Sequence, residues 1–267
     1  NTPVSVLEKL AEDVNYNVRL VVAGNENTTV PLLEKLAEDE EYQVREGVAE
    51  NANTPVSVLE KLADDKEEKL GMSSISAPVR AAVARNANTP VSVLEKLAED
   101  NSFSKRGANV VEYVRCCVAS NINTPVPVLE KLAFPLKRLF SKAKDSNVIA
   151  RVAENTNTPA SVLEKLAKDK NKDVRYAVAR NLNTPASPLE KLVYDDDEYV
   201  CSSAIANANT PISLLEKLAE FNDSKISVAR NPSTPVTVLE KLAKDKDCKL
   251  SVAGNPSTPV TVLEKLA

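Results

Sequence analysis

The first thirteen residues, Asn1-Thr2-Pro3-Val4-Ser5-Val6-Leu7-Glu8-Lys9-Leu10-Ala11-Glu12-Asp13, set apolar against polar positions with a helical period. At roughly 100° per residue, Val4, Val6, Leu7, Leu10 and Ala11 fall within one arc of about 160°, and Ser5, Glu8, Lys9 and Glu12 take the other side. The pattern predicts an amphipathic helix of about three turns. Thr2 is the expected N-cap, its hydroxyl accepting from a first-turn amide. Pro3 is expected at the first helical position, where its missing N–H is harmless. A second apolar element follows, as Val18-Arg19-Leu20-Val21-Val22-Ala23 or Val174-Arg175-Tyr176-Ala177-Val178-Ala179. At about six residues it is short enough for one helical turn or a 3₁₀ segment. Neither element is stable in isolation, so stability has to come from stacking copies.

Copies are present. Leu-Glu-Lys-Leu begins at Leu7, Leu33, Leu59, Leu94, Leu129, Leu163, Leu189, Leu215, Leu239 and Leu263, spaced by 26, 26, 35, 35, 34, 26, 26, 24 and 24 residues. Self-similarity of this kind is the mark of a solenoid. The expected fold is all-α, a single array over 1–267 of nine full repeats and a partial tenth. Between the elements runs Asn-x-Asn-Thr-Pro, at Asn51/Asn53, Asn86/Asn88, Asn121/Asn123, Asn155/Asn157, Asn181/Asn183 and Asn207/Asn209. Asn suits left-handed turns and bonds nearby backbone, so stacked copies should form an Asn ladder that satisfies buried loop amides.

Composition narrows the function classes. The 267 residues are 43% hydrophobic but only 4% aromatic, with no Trp. Leu, Val and Ala must therefore do most of the packing. The chain has no His, which removes the commonest general base. It has no Gly-rich phosphate loop, no GxSxG and no metal-ligand spacing. Asp195-Asp196-Asp197 reads as a solvated turn. The expected class is a non-catalytic scaffold. Cys116, Cys117, Cys201 and Cys248 form no CxxC pair and are expected as buried free thiols in a reducing, cytoplasmic setting. No run of 18 apolar residues is present, so no membrane span is expected.

These motifs resemble the leucine-rich-repeat variant (LRV) family, whose repeat reads Val-Arg-x-x-Val-Ala-x-Asn-x-x-Thr-Pro-x-x-x-Leu-x-x-Leu-Ala-x-Asp. Here that is Val79-Arg80-Ala81-Ala82-Val83-Ala84-Arg85-Asn86, then Thr89-Pro90, Leu94, Leu97, Ala98 and Asp100. The resemblance implies a right-handed superhelix of alternating α and 3₁₀ helices, related in architecture to HEAT arrays. One LRV member carries a Cys-rich iron–sulfur domain. No matching cysteine cluster exists here, so no cofactor and no metal is expected.

Three features are candidates for function. Arg19, Arg45, Arg80, Arg115, Arg175, Lys225 and Lys249 share one repeat position, interrupted by Ile149 and Cys201. This basic column could receive phosphates or nucleic acid, or pair locally with loop acids such as Asp13, Asp39 or Asp173. The Glu and Lys of each Leu-Glu-Lys-Leu should form two neighbouring rows on a solvated face. Finally, three consecutive repeats carry insertions, at about 64–78, 99–113 and 134–147, which should emerge side by side as loops on one edge. The edge offers Phe103, Lys105, Arg106, Tyr113, Phe134, Lys137, Arg138, Phe140, Lys142 and Lys144. From Glu99 to Arg151 nine basic residues face five acidic ones, a net of +4 in a chain of net −4. Rings and cations together suit another protein as partner, with nucleic acid as the alternative. With no polar capping repeat evident, flanking domains or end-to-end self-association are expected.

Overall fold

The structure, a computed structural model, describes residues 2–66, 77–99, 110–134 and 142–266, with side chains given except at 110–112 and 142–145. Among the described residues the chain is all-helical, and it divides into two compact units, Asn1–Asn157 and Thr158–Ala267.

In unit 1 each repeat pairs a leading helix with a trailing helix. The leading helices are α1 (Val4–Leu10), α3 (Val30–Leu36), α5 (Val56–Leu62), α7 (Val91–Ala98) and α9 (Val126–Ala133). The trailing helices are α2 (Tyr16–Ala23), α4 (Tyr42–Glu50), α6 (Pro78–Arg85), α8 (Val110–Ser120) and α10 (Lys142–Glu154). Trailing helices pack in succession, α2 on α4, α4 on α6, α6 on α8 and α8 on α10. Their facing residues include Val44, Val48, Val79, Val83, Val114 and Val118, all fully buried. The leading helices bury Leu33, Leu36, Leu59, Leu62, Leu94, Leu97, Leu129 and Leu132. Each such Leu contributes about 1.5–3 kcal/mol, which supplies what a two-turn helix lacks alone.

Unit 2 repeats the scheme. Its leading helices are α11 (Ala160–Leu166), α13 (Ala186–Leu192), α15 (Ile212–Leu218), α17 (Val236–Leu242) and α19 (Val260–Leu266). Its trailing helices are α12 (Lys172–Arg180), α14 (Glu198–Ala206), α16 (Lys225–Arg230) and α18 (Lys249–Ala253). Leu163, Leu189 and Leu215 are buried on the leading side, with Val174, Val200 and Val228 on the trailing side.

Four expectations change. The leading helices have seven or eight residues, two turns rather than three. The trailing elements are α-helices, and 3₁₀ geometry is confined, among the described residues, to Asn222–Ser224. The third and fourth concern caps and inserts. Pro, not Thr, is the N-cap of most leading helices: Pro3 and Pro55 are extended, and the Pro3 carbonyl accepts from the Val6 and Leu7 amides. The Thr hydroxyl turns the other way. Thr28, Thr54, Thr89 and Thr124 each donate to the carbonyl six residues back, at 2.5–2.6 Å, tying the loop to the end of the preceding trailing helix. Thr28, followed by Thr29 and not by Pro, makes the same bond, so the turn in which each Thr amide donates to the carbonyl of the Asn three residues back sets the direction. Lastly, part of two inserts is not loop: 110–113 and 142–147 are helical and extend α8 and α10 at their N-termini.

Candidate functional site

The Asn ladder runs through the interior of each unit. Asn51 Nδ2 donates to the carbonyls of Ala23 and Asn25, and Asn86 Nδ2 to those of Ala49 and Asn51. Asn121 takes Ala84 and Asn86, and Asn155 takes Ala119 and Asn121. In unit 2, Asn207, Asn231 and Asn255 do the same. Each Asn thus caps the orphan carbonyls that end the previous trailing helix. Its Oδ1 accepts from the amide two residues on, as at Asn53 and Asn123. This row is buried and structural.

The basic column is largely consumed by acids. Arg19 grips both carboxylate oxygens of Asp39, at 2.6 and 2.9 Å, and Arg45 grips Asp65 at 2.5 and 3.0 Å. Arg175 grips Asp195 at 2.6 and 2.9 Å, and Lys225 reaches Asp245 at 3.1 Å. Every acceptor lies twenty residues downstream, in the next repeat. Asp13 takes part only through its carbonyl, and Asp173 serves the local turn at Asn171. The three Asp side chains paired with Arg are 8% exposed or less. The hydrogen bond from Arg175 holds the Asp195 pKa below its ordinary value although burial works against it. Asp39 is likewise low: burial pushes up, and Arg19 together with the Glu41 amide outweighs it. A cavity of 330 Å³ beside Arg45 is lined by Glu38, Asp39, Asp64 and Asp65 with Lys61. Arg115 is buried, Arg80 half-buried and Lys249 exposed.

The exposed face of the leading helices carries a second set of bridges. In unit 1, Lys35 pairs with Glu12, Lys61 with Glu38, Lys96 with Asp64 at 2.6 Å, and Lys131 with Glu99. The partner is an acid ending the previous leading segment, not the Glu of Leu-Glu-Lys-Leu. Glu8, Glu34, Glu60, Glu95 and Glu130 therefore stand exposed and, among the described residues, without an ion-pair partner. Next to them, one turn earlier, Val4, Val30, Val56, Val91 and Val126 are 39–45% exposed. The helical arc places Val4 with the core. The structure moves this position to the surface, because it sits at the edge of the arc in the first turn.

A polar cluster crosses the trailing helices of unit 1. Arg85 donates to Glu50 at 2.9 Å and to the Tyr113 hydroxyl at 2.8 Å, lies 5.8 Å from the Tyr113 ring centre, and reaches Cys117 Sγ at 3.7 Å. Burial opposes the Arg85 charge, and Glu50 more than restores it, so its pKa stands above the ordinary value. Burial also pushes up the pKa of the Cys117 thiol, and that of Glu46, where Glu50 adds repulsion. All four cysteines are free; Cys117 and Cys248 are buried, Cys116 and Cys201 half-buried.

Of the inserted edge, Tyr113 and Phe134 are described and are 42% and 41% exposed. Phe103, Lys105, Arg106, Lys137, Arg138 and Phe140 lie outside the described residues. Lys142 and Lys144 are placed only as backbone of α10. Among the described residues no group of His, Cys, Asp and Glu is arranged to hold a metal, and no helix is long and apolar enough to cross a membrane.

Two-helix repeats joined by a buried Asn ladder define a helical solenoid-type repeat protein. The model of the leucine rich repeat variant family matches residues 42–67 and 78–102, two stretches of unit 1. A solved structure described as a leucine-rich repeat variant with a novel repetitive protein structural motif is similar over 84% of this chain and 80% of that one, with 22% identity and a TM-score of 0.53. At that identity the likeness speaks for the fold alone. Computationally designed armadillo repeat proteins for modular peptide recognition align over 98% of this chain and 91% of that one, at 18% identity, with a TM-score of 0.21, too low to carry an argument. A search of curated proteins finds no match.

Proposed function

We propose that this chain is a non-catalytic scaffold that binds another protein, and that the contact is made at the insert-bearing edge of unit 1. The observation that carries this reading is Phe134. In the four preceding repeats its register position holds Glu12, Glu38, Asp64 and Glu99, each bridging to a lysine of the next repeat. At Phe134 the acid gives way to an exposed ring, which opens the insert richest in base. Exposed aromatics beside cations are the residue types that dominate protein contacts. In sequence, Phe103, Lys105 and Arg106 lie in the insert before, and Lys137, Arg138, Phe140, Lys142 and Lys144 follow Phe134. The phosphate reading is weaker, because the guanidiniums of Arg19, Arg45 and Arg175 are already engaged by carboxylates.

The test compares proteins captured by the full chain with those captured by Phe134→Ser and by a chain lacking residues 135–144. A partner identified this way, then purified, should bind the intact chain directly and lose at least about tenfold in affinity to each variant, a hot-spot-sized loss. Equal affinity for all three chains removes the edge as the contact.

A further inference from the structure

The exposed face of the leading helices differs between the two units in a way the fold does not require. In unit 1 five lysines of Leu-Glu-Lys-Leu meet the five glutamates of the same motif and four more acids, Glu12, Glu38, Asp64 and Glu99, a net of −4. The four extra acids take Lys35, Lys61, Lys96 and Lys131. That leaves the row of Glu8, Glu34, Glu60, Glu95 and Glu130 uncompensated, directly beside the row of exposed valines. In unit 2 the positions of the extra acids hold Lys168, Tyr194, Glu220 and Lys244, and the same face sums to +1. Its apolar row is also thinner, with Ala160 and Ala186 in place of valines.

An exposed Val at one site is ordinary. A row of five, one per repeat, held at a fixed place beside five unpaired carboxylates, is a surface with a period. We propose that the leading-helix face of unit 1 docks an extended basic polypeptide segment, its cations on the glutamate row and its apolar side chains on the valine row. The spacing fits that occupant. Packed helices lie about 8–10 Å apart, and an extended chain in the polyproline II conformation advances about 3.1 Å per residue with three residues per turn. Every third side chain therefore returns to the same edge at the next repeat, so the cations of a three-residue period share one edge and its apolar side chains another, and about fifteen residues span the five. A helical segment, rising about 1.5 Å per residue, reaches the next repeat only after some six residues and leaves most of its side chains unused. The inference rests on the scaffold reading above but uses a different face from the inserted edge.

The probe is a fluorescein-labelled peptide of five Lys-Ser-Val triplets, titrated with the full chain and followed by anisotropy at low and high salt. Binding at low salt is expected. Glu34→Gln/Glu60→Gln/Glu95→Gln should weaken it about tenfold, the worth of three surface ion pairs. The matching unit 2 variant, Glu190→Gln/Glu216→Gln/Glu240→Gln, should change it less than about twofold on the same reckoning. Val30→Ser/Val56→Ser/Val91→Ser should also weaken binding, and its effect should persist at high salt, where the charge contribution is screened. All substituted side chains are exposed, so circular dichroism should be unchanged. Absence of binding at low salt overturns the proposal. So do equal losses from the two glutamine variants, or no loss from the serine variant. The Phe134→Ser chain separates the two readings: it should bind the peptide normally even though it fails to capture the partner at the inserted edge.

Discussion

Asn121 offers the sharpest test of how the repeats hold together. Its side chain is buried, 5% exposed, and makes three hydrogen bonds. Nδ2 donates to the Ala84 carbonyl at 2.7 Å and the Asn86 carbonyl at 3.0 Å, and Oδ1 accepts from the Asn123 amide at 2.8 Å. Asn121→Ala removes all three. The Asn86 carbonyl keeps the Thr89 amide as a donor, so its loss is small. The Ala84 carbonyl, in the last turn of α6, has no other donor among the described residues and becomes a buried orphan, at about 1–3 kcal/mol. The part-buried Asn123 amide adds about 0.5–1.5 kcal/mol. Together the change should cost about 2–4 kcal/mol, a large share of a typical domain's stability. Asn121→Asp should be worse than Ala at pH 7, because it keeps the acceptor but sets a carboxylate against two carbonyls. Asn123→Ser should be nearly silent, because Ser233 and Ser257 already occupy that position and donate to the same class of carbonyl. The assay is urea denaturation followed by helical circular dichroism, with hydrogen exchange to locate the loss, since repeat arrays can unfold piecewise. An Asn121→Ala cost below about 1 kcal/mol, or an Asp variant no worse than Ala, would refute the ladder as the element joining one repeat to the next.

Three further outcomes follow from the same geometry. Thr54→Asn should destabilise by about 1–3 kcal/mol in thermal or chemical denaturation, because the buried bond to the Val48 carbonyl is lost; if Thr54 acted as an N-cap, Asn would serve as well and the change would be neutral. Arg175→Ala should cost about 1–3 kcal/mol at pH 7 by leaving the Asp195 carboxylate in place without its fork. The Asp195 pKa is depressed in the folded state, so its contribution is complete above the unfolded value of about 3.9 and is lost as pH falls through the folded one; the gap between wild type and variant should close in acid, and a gap constant from pH 7 to pH 3 would contradict the pairing. Glu46→Gln should raise the melting temperature at pH 7, since burial and Glu50 make the charged form costly there; the gain should vanish below about pH 4, where the carboxyl is protonated in both states.

By itself the sequence determined the period, the helical nature of both elements, the Leu and Val core and the Asn ladder. All of these are carried by residue types repeating at fixed offsets, and a local rule suffices to read them. The tertiary structure decided the pairings between repeats. Arg19, Arg45 and Arg175 each take an Asp twenty residues on, and each Lys of unit 1 from Lys35 onward takes an acid of the repeat before it, because stacking sets which loop lies against which helix. The Thr hydroxyl turned back toward the previous helix for the same kind of reason: the turn closed on the Asn carbonyl, not capping preference, fixes where it points. The valine and glutamate rows were likewise hidden. Val4 sits on the rim of the apolar arc, and only the packed neighbours show that the rim is solvent-facing. A repeat's sequence specifies what is stacked, and the offset between neighbouring repeats specifies what is left exposed.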